Sequence, residues 1–323
     1  MPMSRVIIGR RDLLGAAALL PTSTVAQTGF PSRPIRMVVP FAPGGTSDLA
    51  MRALCEGASR SFGQPVVVDN RPGASGSLGP AMMKDARPDG STLTMLAVPA
   101  IRQVLMMARP SFDPITDSTR IIHVGGYLLG VVVRPDSPWR SWQEFIGHAR
   151  ANPGRITYGT SGVTSTGNAA MTRIADLLGI EWTHVPFRGG AESTQALLAG
   201  QIDAAADSSS WAEMVRQDRL RLLVTWGPER SPSFPEVPTL RETGTDFTAT
   251  SPYGIIGPPG MDPALVRALH DGFQAAMRDP LHVRTMARLD MPILYMNTAD
   301  YEAAHLREVE EERAFIRRLG LHL

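Results

Sequence analysis

The sequence predicts an α/β protein of two lobes, each a mostly parallel sheet flanked by helices, with a hinge between the lobes. Three observations carry that expectation. Short β-rich runs alternate with helical patterns from Pro34 onward, the same alternation starts again near Ile156, and two crossings between the blocks fall near residues 127 and 252. The 323 residues, 43% of them hydrophobic, suffice to bury a sizeable core and favour two domains or one large one. The boundaries read as a leader over 1–26, a first lobe over 30–127 and 253–323, and a second lobe over 128–252.

Each element follows from its local pattern. Arg5 and Arg10-Arg11 precede the apolar run Leu13 to Leu20, and Thr24-Val25-Ala26 supplies small residues for cleavage after Ala26. This reads as a secretory signal peptide, with Arg10-Arg11 placing the twin-arginine route slightly ahead of the general one. The apolar run is too short to span a bilayer. A periplasmic product without membrane insertion is therefore expected.

Ile35 to Phe41 reads as a buried strand, Ala42 to Thr46 as a turn, and about Ser47 to Phe62 as a helix. Strands are expected at Val66–Asp69, Thr92–Ala97, Ile121–Val124 and Leu128–Val133, and a helix from Trp139 to Ala151 with Ser141 as a cap. The second block places strands near Ile156–Tyr158, Trp182–Val185, Ala204–Ala206 and Leu222–Thr225, with helices between them. Pro228 to Gly244 reads as a long surface connection. A strand at Tyr253–Gly257, a helix at Pro263–Met277 and a strand at Ile293–Met296 follow. The last helix carries a stripe of Ala303, Leu306, Val309, Ile316 and Leu319, opposite a glutamate run at 308–312 that reads as its solvated face.

Composition excludes several classes of function. Thirty-two basic and 31 acidic residues leave a net charge of +1, which gives no electrostatic footprint for nucleic acid. Lys84 is the one lysine, in a turn-like stretch, so Schiff-base and phosphate-loop chemistry have a single available donor. Cys55, the one cysteine, excludes an internal disulfide and a multi-cysteine metal site, and its place on an apolar helix face fits an inert buried thiol. The histidines are scattered and read as surface or capping residues. There is no G-x-S-x-G elbow and no H-E-x-x-H pair, so no catalytic residue, metal or cofactor is expected.

Four loops between strand and helix carry the remaining signal. In Phe41-Ala42-Pro43-Gly44-Gly45-Thr46-Ser47-Asp48, two glycines admit a ligand to the backbone, and a helix start exposes unpaired N–H groups that favour an anion. The same segment reads equally as a tight turn capped by Thr46 or Ser47. Asp48 repels an anion, so it fits better as a partner of the helix dipole or a brace for the loop, with contact to a ligand amine as its candidate ligand-binding role. Gly73 to Gly79 has the spacing G-x-x-G-x-x-G, which fails the dinucleotide pattern. The third loop, Tyr158 to Asn168, offers the hydroxyls of Ser161, Thr164 and Thr166, which suit a carboxylate but also serve as ordinary caps. Arg188, in Pro186-Phe187-Arg188-Gly189-Gly190, serves either as a carboxylate clamp or as a surface ion pair.

Taken together, these segments resemble the tripartite tricarboxylate transporter receptor family, the Bug extracytoplasmic solute receptors. The resemblance runs through PIRMVVPFAPGGTSD, VVVDNRPGASGSLG, ARPDGSTLTML, ITYGTSG, THVPFRGGAESTQALLAGQIDAAAD, RSPSFPEVPTLRETG and YGIIGPPG, nearly the whole chain after the leader. It implies a periplasmic binding protein fold, a ligand carboxylate held by the first-lobe loop through backbone groups and ordered waters, and second-lobe loops closing over it. By position it implies ligand contacts from Phe41, Gly44, Gly45, Thr46 and Ser47, from Ser75 and Gly76, from Ser161, Thr164 and Thr166, and from Arg188 and Asp207. Many relatives have a histidine where this chain has Asn168, and a Phe-Asp pair where it has Ala206-Asp207, so the part of the cleft that distinguishes solutes differs. The implied function is capture of a di- or tricarboxylate, aromatic acid or acidic amino acid by a monomer, with delivery to a membrane permease of two unrelated subunits. A ligand-presenting sensor subunit and an exported hydrolase are the competing readings.

Overall fold

Ile35, Met37 and Val39 alternate on one face of the first strand while Val38 is buried on the other, so the strand sits inside a sheet covered on both sides. A computed structural model describes residues 30–320, and the expected leader lies outside the described residues. In chain order, β1 (Ile35–Val39), α1 (Thr46–Phe62), β2 (Val66–Asn70), α2 (Leu78–Met83), β3 (Thr92–Ala97), α3 (Val98–Met106) and β4 (Thr119–Gly125) form the first block. Then β5 (Leu129–Val133), α4 (Trp142–Ala151), β6 (Thr157–Thr160), α5 (Thr166–Leu178), β7 (Thr183–Pro186), α6 (Gly190–Leu198), β8 (Ala204–Ser208), α7 (Ala212–Arg216) and β9 (Arg221–Thr225) form the second. The chain returns through β10 (Tyr253–Gly257), α8 (Pro263–Met277), α9 (Pro280–Arg288), β11 (Ile293–Met296) and α10 (Thr298–Leu319).

The strands make two sheets, ordered β11-β4-β10-β3-β1-β2 and β7-β6-β8-β5-β9. Only the arms β2-β1-β3 and β7-β6-β8 are parallel. The strands that enter from the opposite block, β10 and β5, pair antiparallel with both neighbours, so each sheet keeps most of its strands in one direction but is mixed. The reversal has a topological cause: each of these strands completes a sheet after a crossing from the other lobe instead of after a local helical return. The sequence pattern predicts strand positions well but carries no signal for that direction.

One core lies between the first sheet and helices α1, α8 and α9, where Met37, Met51, Leu54, Leu269 and Phe273 are fully or almost fully buried. Its counterpart in the second lobe gathers Trp139, Trp142, Phe145, Met171 and Trp226. Cys55 belongs to the first core, and burial pushes its thiol well above the usual range, so it is inert packing.

Helix α10 corrects the expected stripe. Ala303 is exposed and Leu306 is 40% exposed, while Tyr301, His305, Val309 and Ile316 face inward; the side chain of Leu319 lies outside the described ones. His305 takes the place expected of Leu306 because its ring bonds the Pro114 carbonyl at 2.6 Å. The glutamate run is likewise not wholly solvated. Glu312 turns in to meet Arg102, and burial first, then Glu312, raises the carboxyl of Glu308 to about 8. His123, His282 and His305 are buried rather than on the surface, and burial lowers each imidazole. These polar groups are concealed from a hydrophobic-periodicity reading, which assigns charged and ring-nitrogen residues to water.

Candidate functional site

The loop from β1 into α1 is held open by its own side chains. Gly44 adopts φ +82°, a left-handed conformation that disfavours a side chain, and its N–H donates to Asp48 Oδ2 at 2.9 Å. Asp48 also accepts from Asn70 Nδ2 at 2.8 Å and pairs with Arg52 at 2.9 Å. Burial works against the charge of Asp48, but Arg52, Gly44 and Asn70 outweigh it and hold the carboxyl below its ordinary value. Asp48 thus ties the loop together from behind and does not line the cleft.

Gly45 is the N-cap of α1 and no side chain caps the helix, so the first-turn amides keep their donors. The hydroxyls expected as caps bond elsewhere. Thr46 Oγ1 meets Ser208 Oγ of the second lobe at 2.8 Å, and Ser47 Oγ meets the Tyr127 hydroxyl at 2.7 Å. Helix α6 starts the same way across the cleft, at Gly189 without a side-chain cap, while the Arg188 N–H donates to Glu192 Oε2 at 2.8 Å. Helix α5 is capped by Ser165, whose Oγ accepts from Asn168 N–H, and its Thr166 Oγ1 donates to Ser251 Oγ at 3.1 Å. Gly167 brings α5 against β8: a Cβ there would stand 2.1 Å from the Ala206 carbonyl oxygen, so any side chain would push the helix start away.

These three helix starts border one cavity of about 90 Å³ between the lobes. That is roughly six times the ~15 Å³ that admits one water, room for a small organic solute. Of the sequence-expected residues, Phe41, Gly45, Thr46, Ser47, Ser161, Thr166, Arg188 and Asp207 line it. Gly44 and Asp48 lie behind it. Ser75 and Gly76 border a second space of about 540 Å³ on the far side of Phe41, shared with Arg188 and Phe187. Thr164 is spent on the lobe interface: its hydroxyl donates to Gln103 Oε1 at 2.9 Å, and its carbonyl accepts from Arg102 Nη1 at 2.9 Å. Tyr127, Ser208 and Ser251 line the cavity without having been expected. Tyr127 follows the last residue of β4 by two positions, where the chain crosses, and that position was the available signal.

Electrostatically the cavity is mixed. Arg188 is exposed and makes no ion pair among the described residues. Asp207, 4% exposed, is raised to about 6, by burial first and against the opposing bonds from Ser208 and Ser161. No group of three His, Cys, Asp or Glu side chains able to hold a metal occurs among the described residues, and no described helix is long and apolar enough to cross a membrane.

Two mixed α/β sheets flanked by helices, with helix starts from both lobes on one interlobe cavity, define a two-lobed binding protein. The family description "Tripartite tricarboxylate transporter family receptor" matches residues 50–321, and the chain belongs to that family. It is 43% identical over 308 residues to a Cupriavidus necator protein named for its place in the gbd 5' region, covering 95% of this chain and 93% of that one. The solved periplasmic binding protein BugD is similar at a TM-score of 0.86 and 25% identity, covering 91% of this chain and 99% of BugD. MatC from Rhodopseudomonas palustris, solved with bound malate, shares the fold at a TM-score of 0.83 and 24% identity, covering 89% of this chain and all of that one. Membership makes this chain a solute-binding receptor and not an enzyme.

Proposed function

We propose that this chain is an exported, monomeric receptor that captures a small carboxylate in the interlobe cavity and delivers it to a membrane permease of two unrelated subunits. The observation that carries the reading is the meeting of the uncapped starts of α1 and α6, from opposite lobes, on one cavity. Backbone N–H groups at a helix start attract negative oxygen atoms without requiring a lysine. The hydroxyls of Thr46, Ser47, Ser161 and Thr166 add neutral donors, and the Arg188 guanidinium is free to swing onto a ligand carboxylate. In this reading Phe41 and Gly45 shape the floor, Gly44 and Asp48 fix the loop, and Thr164 holds the lobes. Ser75 and Gly76 serve longer ligands that reach past Phe41. The malate bound by MatC supports a carboxylate as the ligand class, and the periplasmic description of BugD supports export through the leader at 1–26, with Arg10-Arg11 favouring the twin-arginine route.

Calorimetric titration of the mature protein with di- and tricarboxylates, aromatic acids and acidic amino acids tests the proposal. At least one acid is expected to bind at micromolar concentration or below, while its neutral amide binds at least about tenfold more weakly, the size of a lost charge-assisted contact. Silence across the whole panel, or equal binding of acid and amide, contradicts it.

A further inference from the structure

A cavity built for a carboxylate contains two carboxylates of its own, Glu192, which accepts from the Arg188 N–H at the start of α6, and Asp207, and the arrangement of Asp207 singles out one feature of the solute. Asp207 stands near the end of β8, where its backbone is fixed by pairing with Gly130 and by the Trp211 Nε1 bond to its carbonyl at 3.2 Å. One oxygen is committed: Oδ1 accepts from the Ser208 N–H at 2.7 Å and from Ser161 Oγ at 3.2 Å. The other is not. Oδ2 is buried, faces the start of α6 beside Gly190, and has no hydrogen-bond partner among the described residues. Among those residues no arginine or lysine pairs with Asp207, although Arg188 lines the same cavity.

An unpaired buried carboxylate oxygen is costly and repels a second carboxylate brought beside it. A partner from the solute relieves both problems if it donates a hydrogen bond. We propose that Asp207 Oδ2 accepts from an ammonium or hydroxyl group of the ligand, so that the receptor selects amino or hydroxy acids over the corresponding plain acids. The inference rests on the carboxylate reading of the cavity and adds the polarity of the ligand's second group. The amides at the starts of α1 and α6 take the carboxylate, and Asp207 reads the donor. Burial, which raises Asp207 to about 6, leaves it mostly ionised at neutral pH and able to accept.

The test uses matched acids that differ in one donor: aspartate and malate against succinate, glutamate and 2-hydroxyglutarate against glutarate, and 4-hydroxybenzoate against benzoate. In whichever set binds, the donor-bearing acid is expected to bind about tenfold more tightly or better, the size of a charge-assisted hydrogen bond. Asp207→Asn, nearly isosteric, is expected to erase that advantage while leaving the plain acid equal or tighter. Preference of the wild-type protein for the plain acid overturns the proposal. So does an Asp207→Asn loss that is the same for both members of a pair, since a merely structural role would weaken both alike. Failure of every acid to bind contradicts the carboxylate reading itself, and this inference with it.

Discussion

Replacing Arg102 by alanine is expected to destabilise the folded protein by about 3–5 kcal/mol, the usual cost of stranding one partner of a buried ion pair. Arg102 is 5% exposed on α3, and its Nε and Nη2 hold both oxygens of Glu312 on α10 at 2.8 and 2.6 Å. The remaining nitrogen, Nη1, crosses to the second lobe and donates to the Thr164 carbonyl. The truncation would leave Glu312 beside Glu308 with no counter-charge and the Thr164 carbonyl without its donor. Equilibrium urea unfolding reads the stability. Ligand titration reads the second consequence, an affinity about tenfold lower, because the closed arrangement loses a charge-assisted bond between the lobes. Arg102→Lys is expected to recover little, since one ammonium cannot replace a planar fork that serves two partners. A loss under about 1 kcal/mol would mark the contact as an ordinary solvated pair and contradict the account.

Glu308→Gln is expected to stabilise the protein in alkali and to do nothing in acid. Burial raises the Glu308 carboxyl from 4.5 to about 8, Glu312 and Glu311 add to the rise, and Arg102 opposes it. His123 and His305, with Tyr301, line the same small space. A carboxyl raised on folding contributes stability that is whole below its unfolded value and is lost as pH climbs through the folded one. The advantage of the glutamine variant should therefore be near zero at pH 4, grow between 4.5 and 8, and level off above. At about 1.4 kcal/mol per unit of displacement, several kcal/mol is its ceiling. His282 and His305, lowered to about 4 by burial, act in the opposite sense and cost stability as pH falls below 6.5, which is why the difference between variant and wild type is the quantity to follow. A difference independent of pH contradicts the assignment.

Where the chain folds by pattern, the sequence was informative. The helix Pro263–Met277 and the strand Ile293–Met296 match their observed limits, because Asp262 and Pro263 mark one start and a short β-rich run marks the other. The cavity loops were legible for a related reason: glycines before a helix start advertise open backbone, as at Gly44-Gly45 and Gly189-Gly190. Strand direction was not legible, since β5 and β10 carry the same apolar runs whichever way they lie. Nor were the polar groups placed by distant partners. Arg102 and Glu312 are 210 residues apart in sequence, and Thr46 and Ser208 are 162 apart. Short-range patterns carry no information about such pairs, which is why Thr46 and Ser47 read as caps and instead join lobes and hinge. Asp207 was visible as a residue, but its unpaired oxygen depends on Ser161 and Ser208 filling only one side.

The most direct measurement is a crystal structure of the mature protein with the tightest-binding acid of the panel in its cleft. Carboxylate oxygens are expected within hydrogen-bond distance of the first-turn amides of α1 and of α6 together, with Phe41 and Tyr127 closing the sides. An acid seated away from both helix starts, or one held by Arg188 alone at the rim with the amides left to solvent, would contradict that expectation.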